Sequence, residues 1–148
     1  MTDPPRRTKK RKSGVPTGNA GEYLVMGELL RRGFDAQLAD RNTKGYDILV
    51  GIEGFDLKRV QVKTVRVQPW YVTRAMFEGV FSNQVTVYVL IGRQDSEKAV
   101  RFFITRNRDL EKYAHYPANW RKNGFMKLSA VEQYEGRWDW LADYCSSN

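Results

Sequence analysis

The sequence has few of the residues on which many common protein sites depend. Its 148 residues include one cysteine, Cys145, and one histidine, His115. A single cysteine excludes an intrachain disulfide framework and a cysteine zinc cluster, and a single histidine leaves little for histidine-based metal sites or a Ser-His-Asp triad. No apolar run approaches the ~18 residues of a membrane span, and the polar, basic start does not resemble a signal peptide. We therefore expect a cytoplasmic protein with no membrane contact and no organic cofactor.

The positive charge is concentrated at the N-terminus. The chain has 25 basic and 17 acidic residues, a net charge of +8, and residues 1–12 alone contain six basic residues against one acid. We predict that residues 1–17 form a disordered basic arm and that residues 18–148 form a single domain. The arm is either an extension that binds nucleic-acid phosphates or a solubilising segment. The remaining +3 does not by itself indicate a nucleic-acid partner.

A helix is predicted directly after this arm. Asn19 and Glu22 have the spacing of a capping box, which places the helix over residues 20–32 with Gly33 at its end. Apolar residues follow Glu22 at three, four and seven places, so this glutamate lies at the head of the buried stripe.

Period-2 patterns predict several strands beyond this helix. The long alternating segment places Gln61 and Lys63 on one face, and the unbroken apolar run that follows is typical of a strand covered on both sides. Short helices are predicted near Asn107 and over 137–144. The order indicates an α/β or α+β sheet domain. The predicted strands cover residues 34–39, 46–50, 57–68, 85–91 and 100–104.

Four polar residues occur along these elements in a chemically suggestive order. Glu22 opens the helix, Asp47 heads a strand, and Gln61 precedes Lys63 by two residues. Hydrolysis of a phosphodiester with a divalent cation requires anionic and neutral oxygen ligands and a cationic group near the phosphate. Asp47, Gln61 and the carbonyl of Val62 can act as ligands. Glu22 can bind a second metal or hold a water, and Lys63 can orient the attacking water or stabilise the transition state.

Each of these residues also has a purely structural interpretation. Glu22 can simply complete the capping box, Asp47 can be a turn residue at a strand edge, and Gln61 and Lys63 can belong to a solvated face. Their joint occurrence, in order and on the expected elements, favours the functional interpretation.

Three segments together resemble a known nuclease superfamily. They are Gly21-Glu22-Tyr23-Leu24-Val25, Tyr46-Asp47-Ile48-Leu49-Val50 and Val60-Gln61-Val62-Lys63-Thr64. The set resembles the PD-(D/E)XK superfamily, which includes restriction endonucleases and archaeal Holliday-junction resolvases. The glutamine at the third position resembles a branch that contains a group I intron homing endonuclease.

The resemblance implies a restriction-endonuclease-like core, with a central mixed sheet of about five strands flanked by helices. It also implies Mg²⁺-dependent cleavage of DNA, with Mn²⁺ as a possible substitute. Glu22 matches the helix acid, Asp47 the metal-binding aspartate, and Lys63 the lysine of the motif. Gln61 stands where the family usually has Glu or Asp, which removes one negative charge from the metal site.

Two functional hypotheses follow from these patterns. The first is a Mg²⁺-dependent endonuclease that acts as a homodimer, because one small domain carries one site and duplex cleavage needs two. The alternative is a catalytically weak module of the same fold that binds nucleic acid or a partner. Arg121 and Lys122 are interpreted as solvated surface. The candidate DNA contacts flanking the site are Lys44, Arg66, Trp70, Tyr71 and Arg74.

Overall fold

The computed structural model describes residues 15–40, 42–43 and 45–147, so most of the predicted basic arm lies outside the described residues. Helix α1, Val15–Arg31, starts five residues before the predicted start at residue 20 and includes residues 15–17, which were assigned to the arm. Asn19 therefore lies within the helix, and the predicted capping box is wrong. Pro16 is compatible with the earlier start because the N–H groups of a first helical turn have no partner within the helix.

Five strands form one mixed sheet in the order β1-β2-β3-β5-β6, with β3 and β5 parallel and the other pairs antiparallel. The remaining two strands, β4 and β7, pair antiparallel as a separate small sheet. The main sheet confirms the predicted mixed sheet of about five strands. In chain order the strands are β1 (Asp35–Leu38), β2 (Ile48–Gly51), β3 (Lys58–Val65), β4 (Trp70–Thr73), β5 (Val85–Leu90), β6 (Arg101–Arg106) and β7 (Asn123–Met126).

Helical elements cover both faces of the main sheet. Helices α1 and α4 pack on one face, and the small sheet packs on the other with the short helices. The helices predicted near Asn107 and over 137–144 are both present. Beyond α1 the α-helices are α2 (Asn107–Leu110), α3 (Leu128–Val131) and α4 (Trp138–Cys145), and the 3₁₀ helices are Arg74–Phe77, Gly79–Asn83, Glu111–Tyr113 and Glu132–Tyr134.

Strand β5 is buried between these two layers, as its unbroken apolar run predicted. Val85, Val87 and Val89 point into the core beneath α1 and α4, whereas Tyr88 points into the core beneath the small sheet. All four side chains are fully buried. Alternate residues of one strand thus serve two separate apolar cores.

The segment after β3 differs from the prediction. β3 ends at Val65 rather than at residue 68, and the chain then forms β4. Trp70, a predicted DNA contact, has no exposed surface, and its indole N–H donates to the Val89 carbonyl at 3.0 Å. Its ring packs edge-on against Tyr88, with centroids 5.4 Å apart. The prediction for Trp70 is wrong because its position on β4 directs the ring into the core.

None of the helices in the described part of the chain has the length and apolar content that a membrane crossing requires.

Candidate active site

Asp47 is held in place by hydrogen bonds to both neighbouring strands. Its N–H donates to the Val60 carbonyl of β3 and its carbonyl accepts from the Ala39 N–H after β1, both at 2.8 Å. Its carboxylate Oδ2 accepts the Val62 N–H, also at 2.8 Å. The regular pairing of β2 with β3 ends at Ile48 and Val60. The Asp47 carboxylate therefore accepts the Val62 N–H at the point where the two strands diverge and β2 no longer offers a backbone carbonyl to it.

This arrangement leaves a backbone oxygen beside the Asp47 carboxylate. The N–H and C=O of one strand residue point to the same side, and neighbouring residues alternate between the two sides. Val60 and Val62 both direct their backbone groups toward Asp47. The Val62 carbonyl thus faces the edge at which the carboxylate lies.

The loop that leads into Asp47 is fixed from the opposite layer. Gly45 has a φ of +87°, which favours glycine, and a Cβ there would lie 2.6 Å from the Phe81 ring. The Gln84 side-chain amide donates to the Gly45 carbonyl. Packing and hydrogen bonding therefore both position the residues just before Asp47.

Glu22 and Asp47 line the same cavity, which has a volume of about 270 Å³. Glu22 is half-buried and follows Gly21, which belongs to the buried stripe of α1. A Cβ on Gly21 would lie 1.7 Å from the Thr64 Oγ1 of β3. Because Gly21 has no side chain, α1 approaches β3 closely enough for the next residue to border the Asp47 cavity.

Gln61 and Lys63 share the face of β3 that points away from α1, as the alternating pattern predicted. Gln61 borders a cavity of about 280 Å³, and Lys63 borders a larger one of about 740 Å³. Thr73 of β4 lines both cavities, so they are neighbours. Gln61 does not line the cavity that Glu22 and Asp47 share, and its role as a metal ligand stays a prediction.

The electrostatics of Lys63 and Asp47 are coupled. Burial lowers the pKa of the Lys63 ammonium, and attraction to the Asp47 carboxylate opposes that shift only in part. When protonated, a half-buried lysine is a positive group with reduced hydration, which interacts more strongly with a phosphate than a fully hydrated one does.

The oxygen donors at this edge suit a hard divalent cation. Mg²⁺ is usually held by one or two carboxylates together with waters and substrate oxygens. Glu22 and Asp47 supply two carboxylates, and the Val62 carbonyl is on the same edge of β3 as the N–H that donates to Asp47. Among the described residues, no three His, Cys, Asp or Glu side chains form a group that could hold a metal. The donors that are present are oxygens, which Mg²⁺ and Mn²⁺ prefer, rather than the nitrogen and sulfur ligands typical of zinc.

The predicted DNA contacts occupy different environments. Lys44 lies outside the described residues. Arg66 is exposed and reaches the Gly92 carbonyl at 3.4 Å, away from the cavities described above. Arg74 is exposed, but its guanidinium lies 3.8 Å from the Tyr116 ring centroid and its Nε donates to the Arg121 carbonyl at 3.2 Å. The contacts of Arg66 and Arg74 with DNA stay predictions.

The segment 119–123, the loop before β7 and the first residue of that strand, borders the Lys63 cavity, and sequence reasoning missed it. Trp120, Arg121 and Lys122 line this cavity together with Tyr71. Arg121 and Lys122 were interpreted as general solvated surface. They are indeed exposed, but they lie at the rim of the candidate site. The run Asn-Trp-Arg-Lys-Asn, an aromatic residue next to two bases, is the local signal that could have identified it.

Comparison with known proteins identifies the fold. No family model and no curated protein matches the sequence. The chain is similar in structure to Hjc, a Holliday junction resolvase from the archaeal hyperthermophile Archaeoglobus fulgidus, with a TM-score of 0.51 and 20% identity over 78% of this chain and 88% of that one. It is also similar to the bacterial homing endonuclease I-Ssp6803I, with a TM-score of 0.58 and 14% identity over 90% and 95% of the two chains. The chain therefore has a restriction-endonuclease-like fold, the fold that its motifs predicted.

Proposed function

We propose that this protein is a Mg²⁺-dependent endonuclease that hydrolyses DNA phosphodiester bonds. The observation that carries the proposal is the Asp47 carboxylate, fixed by the Val62 N–H where β2 and β3 diverge, with Glu22 on the same cavity and Lys63 within electrostatic reach. Two proteins of similar fold are a Holliday junction resolvase and a homing endonuclease, which supports DNA as the substrate.

In the proposed reaction, the oxygen of water bonds to the phosphorus as the bond to the leaving ester oxygen breaks, and the proton that the water loses is replaced, through solvent, by one on that oxygen, which leaves as an alcohol. Asp47, Glu22, the Val62 carbonyl and the Gln61 amide would hold the cation. A bound divalent cation supplies Lewis acidity at the phosphoryl oxygen. Lys63 orients the attacking water or stabilises the charge that develops on the phosphoryl oxygens, which typically contributes about 2.7–4 kcal/mol.

Gln61 is the residue that motivates the alternative function, a module of the same fold that binds DNA or a partner but cleaves weakly or not at all. An amide in place of a carboxylate removes one negative charge and weakens attraction for the cation. A protein that kept the fold but lost catalysis would bind DNA or a partner without cleaving it. The retained Glu22, Asp47 and Lys63 favour the catalytic function.

Metal binding and cleavage should be measured together on Asp47→Asn and on a matched control, Asp56→Asn, in the exposed turn between β2 and β3. We expect the wild type and the Asp56 variant to bind Mn²⁺ in calorimetry and to cleave supercoiled or branched DNA. The Asp47 variant should lose both activities. DNA binding without cleavage by the wild type, on every substrate, would instead support the binding-module alternative.

We also propose that the active form is a homodimer and that Arg66 and Arg74 contact DNA phosphates. Light scattering should then give twice the mass of one chain, and a plasmid that is nicked in one strand should then be cut in the second strand to give linear product. A monomer that only nicks one strand would contradict the homodimer.

A further inference from the structure

The outward face of the small sheet carries a continuous group of aromatic rings. Tyr71 is 64% exposed and lies opposite Phe125 in the register of β4 and β7. The Trp120 ring contacts both, with centroids 6.0 Å from Tyr71 and 5.9 Å from Phe125. His115 stacks on Phe125 at 5.1 Å. We call these four rings the aromatic platform.

Two rings of the platform, Tyr71 and Trp120, line the cavity of about 740 Å³ that Lys63 also lines. This volume lies within the range of about 300–1,000 Å³ that is typical of small-ligand sites. Arg121 and Lys122 form the rim, and none of the described residues that line the cavity is acidic. One open, concave surface therefore combines the exposed Tyr71 ring and the half-buried Trp120 ring with positive charge, beside a candidate catalytic lysine.

The rim is held in position by contacts with β4 and the residues that follow it. The Arg74 N–H donates to the Lys122 carbonyl at 2.9 Å, and the Arg74 Nε donates to the Arg121 carbonyl at 3.2 Å. The same guanidinium packs on the Tyr116 ring. These bonds fix the backbone of Arg121 and Lys122, so this part of the cavity is formed before any ligand binds, and ligand binding requires less ordering of the segment.

An aromatic wall with a positive rim is the combination that binds single-stranded nucleic acid. Bases stack on aromatic side chains, while basic groups follow the phosphates. The bases of an intact duplex are already stacked on each other, so a concave aromatic site can take a base only when it is unpaired or turned out of the helix. Tyr71 and Trp120 contact each other and leave no slot between their rings, so the base would lie on their exposed faces.

We propose that this cavity binds an unpaired nucleotide of the DNA strand, next to the phosphate that Lys63 contacts. The base stacks on Tyr71 and Trp120, and Arg121 and Lys122 contact the adjoining phosphates. The preferred substrate is then DNA with unpaired nucleotides at the cleavage position, such as a branch, flap or bulge. This inference rests on the proposed function, from which it takes DNA as the ligand.

The test is the affinity of the full chain for fluorescein-labelled oligothymidine and for a duplex, measured by anisotropy in EDTA so that no cleavage occurs. Tyr71→Ala should weaken binding of the single strand by about 5- to 150-fold, the range expected for the loss of one base-stacking contact. Duplex binding should change less than twofold. Tyr71→Phe, which keeps the ring, should bind like the wild type.

Phe55→Ala is the matched control, since this ring is 39% exposed in the turn between β2 and β3, away from the cavity. It should leave both affinities unchanged. Lys122→Ala provides a measurement that does not depend on Tyr71. Its single-strand affinity should fall, and the slope of log affinity against log salt should become shallower by about 0.7, the value for one lost phosphate contact.

Equal losses on single strand and duplex in Tyr71→Ala, or no loss at all, would overturn the inference. Wild-type cleavage with no effect of Tyr71→Ala on single-strand binding would overturn the inference and leave the proposed function standing. Ring-dependent binding of single strands by a wild type that cleaves nothing would support the inference while contradicting the proposed function.

Discussion

The contact between α1 and β3 at Gly21 allows a prediction whose size follows from the structure. Alanine is the better helix former by about 1 kcal/mol, but overpacking a close contact costs about 1–3 kcal/mol. A Cβ at Gly21 would lie 1.7 Å from the Thr64 Oγ1 and 2.7 Å from the Thr64 Cβ, at the severe end of that range. We expect Gly21→Ala to lower the free energy of unfolding by about 2 kcal/mol.

Gly27, six residues later on the same helix, provides the matched control. A Cβ there would have nothing within 4 Å, so Gly27→Ala should gain helix stability without a clash, by up to about 1 kcal/mol. The two variants should therefore differ by about 3 kcal/mol in urea unfolding, or by about 6–12 °C in thermal midpoint. If Gly21→Ala is as stable as Gly27→Ala, the reasoning about the close approach of α1 to β3 is refuted.

The remaining predictions concern Lys63, Asn107 and Cys145. Burial lowers the pKa of Lys63 below its ordinary value of 10.5. Keeping the Lys63 side chain protonated at neutral pH therefore makes the folded state less stable. Lys63→Met should therefore raise the thermal midpoint of unfolding at pH 7. The difference in midpoint between variant and wild type should shrink toward pH 10.5, because the Lys63 ammonium of the folded wild type loses its proton at a lower pH than that of the unfolded chain. A variant that is less stable than the wild type at pH 7 would contradict this reasoning. The buried Asn107 side chain accepts a hydrogen bond from the Thr86 hydroxyl and donates to two backbone carbonyls. Asn107→Ala should therefore lower the free energy of unfolding in urea by about 3 kcal/mol. A decrease below about 1 kcal/mol would be inconsistent with these bonds. Cys145 is fully buried, and burial raises the pKa of its thiol to about 11. An aromatic disulfide reagent should therefore react with this thiol at pH 8 only as fast as the protein unfolds. Immediate reaction would instead show that the C-terminal helix opens.

Much of the fold was predictable because it depends on local periodicity. The unbroken apolar run of β5 is buried on both sides, and alternation along β3 places Gln61 and Lys63 on one face. Both features follow from which way each side chain of a single strand points, which does not depend on the partners of that strand. The order of acids, glutamine and lysine was likewise visible along the chain.

The parts that were missed depend on contacts between distant segments. β4 acquires its structure by pairing with β7, about fifty residues later, and nothing near Trp70 specifies that register. The start of α1 was misplaced because Asn19 and Glu22 satisfy a capping pattern that the helix does not use. The bond from the Val62 N–H to Asp47 requires two strands to diverge, which no single segment encodes.

The most direct test of the central claim is nicking of supercoiled plasmid by the full chain in Mg²⁺, with Lys63→Ala compared with Lys98→Ala. Lys98 is an exposed lysine in the loop between β5 and β6, outside the cavities described above. The proposed function predicts metal-dependent nicking by the wild type and the Lys98 variant, and a loss of about 100-fold or more in the Lys63 variant. Equal nicking by all three proteins would contradict the assigned site, and no nicking by the wild type would contradict the assigned activity.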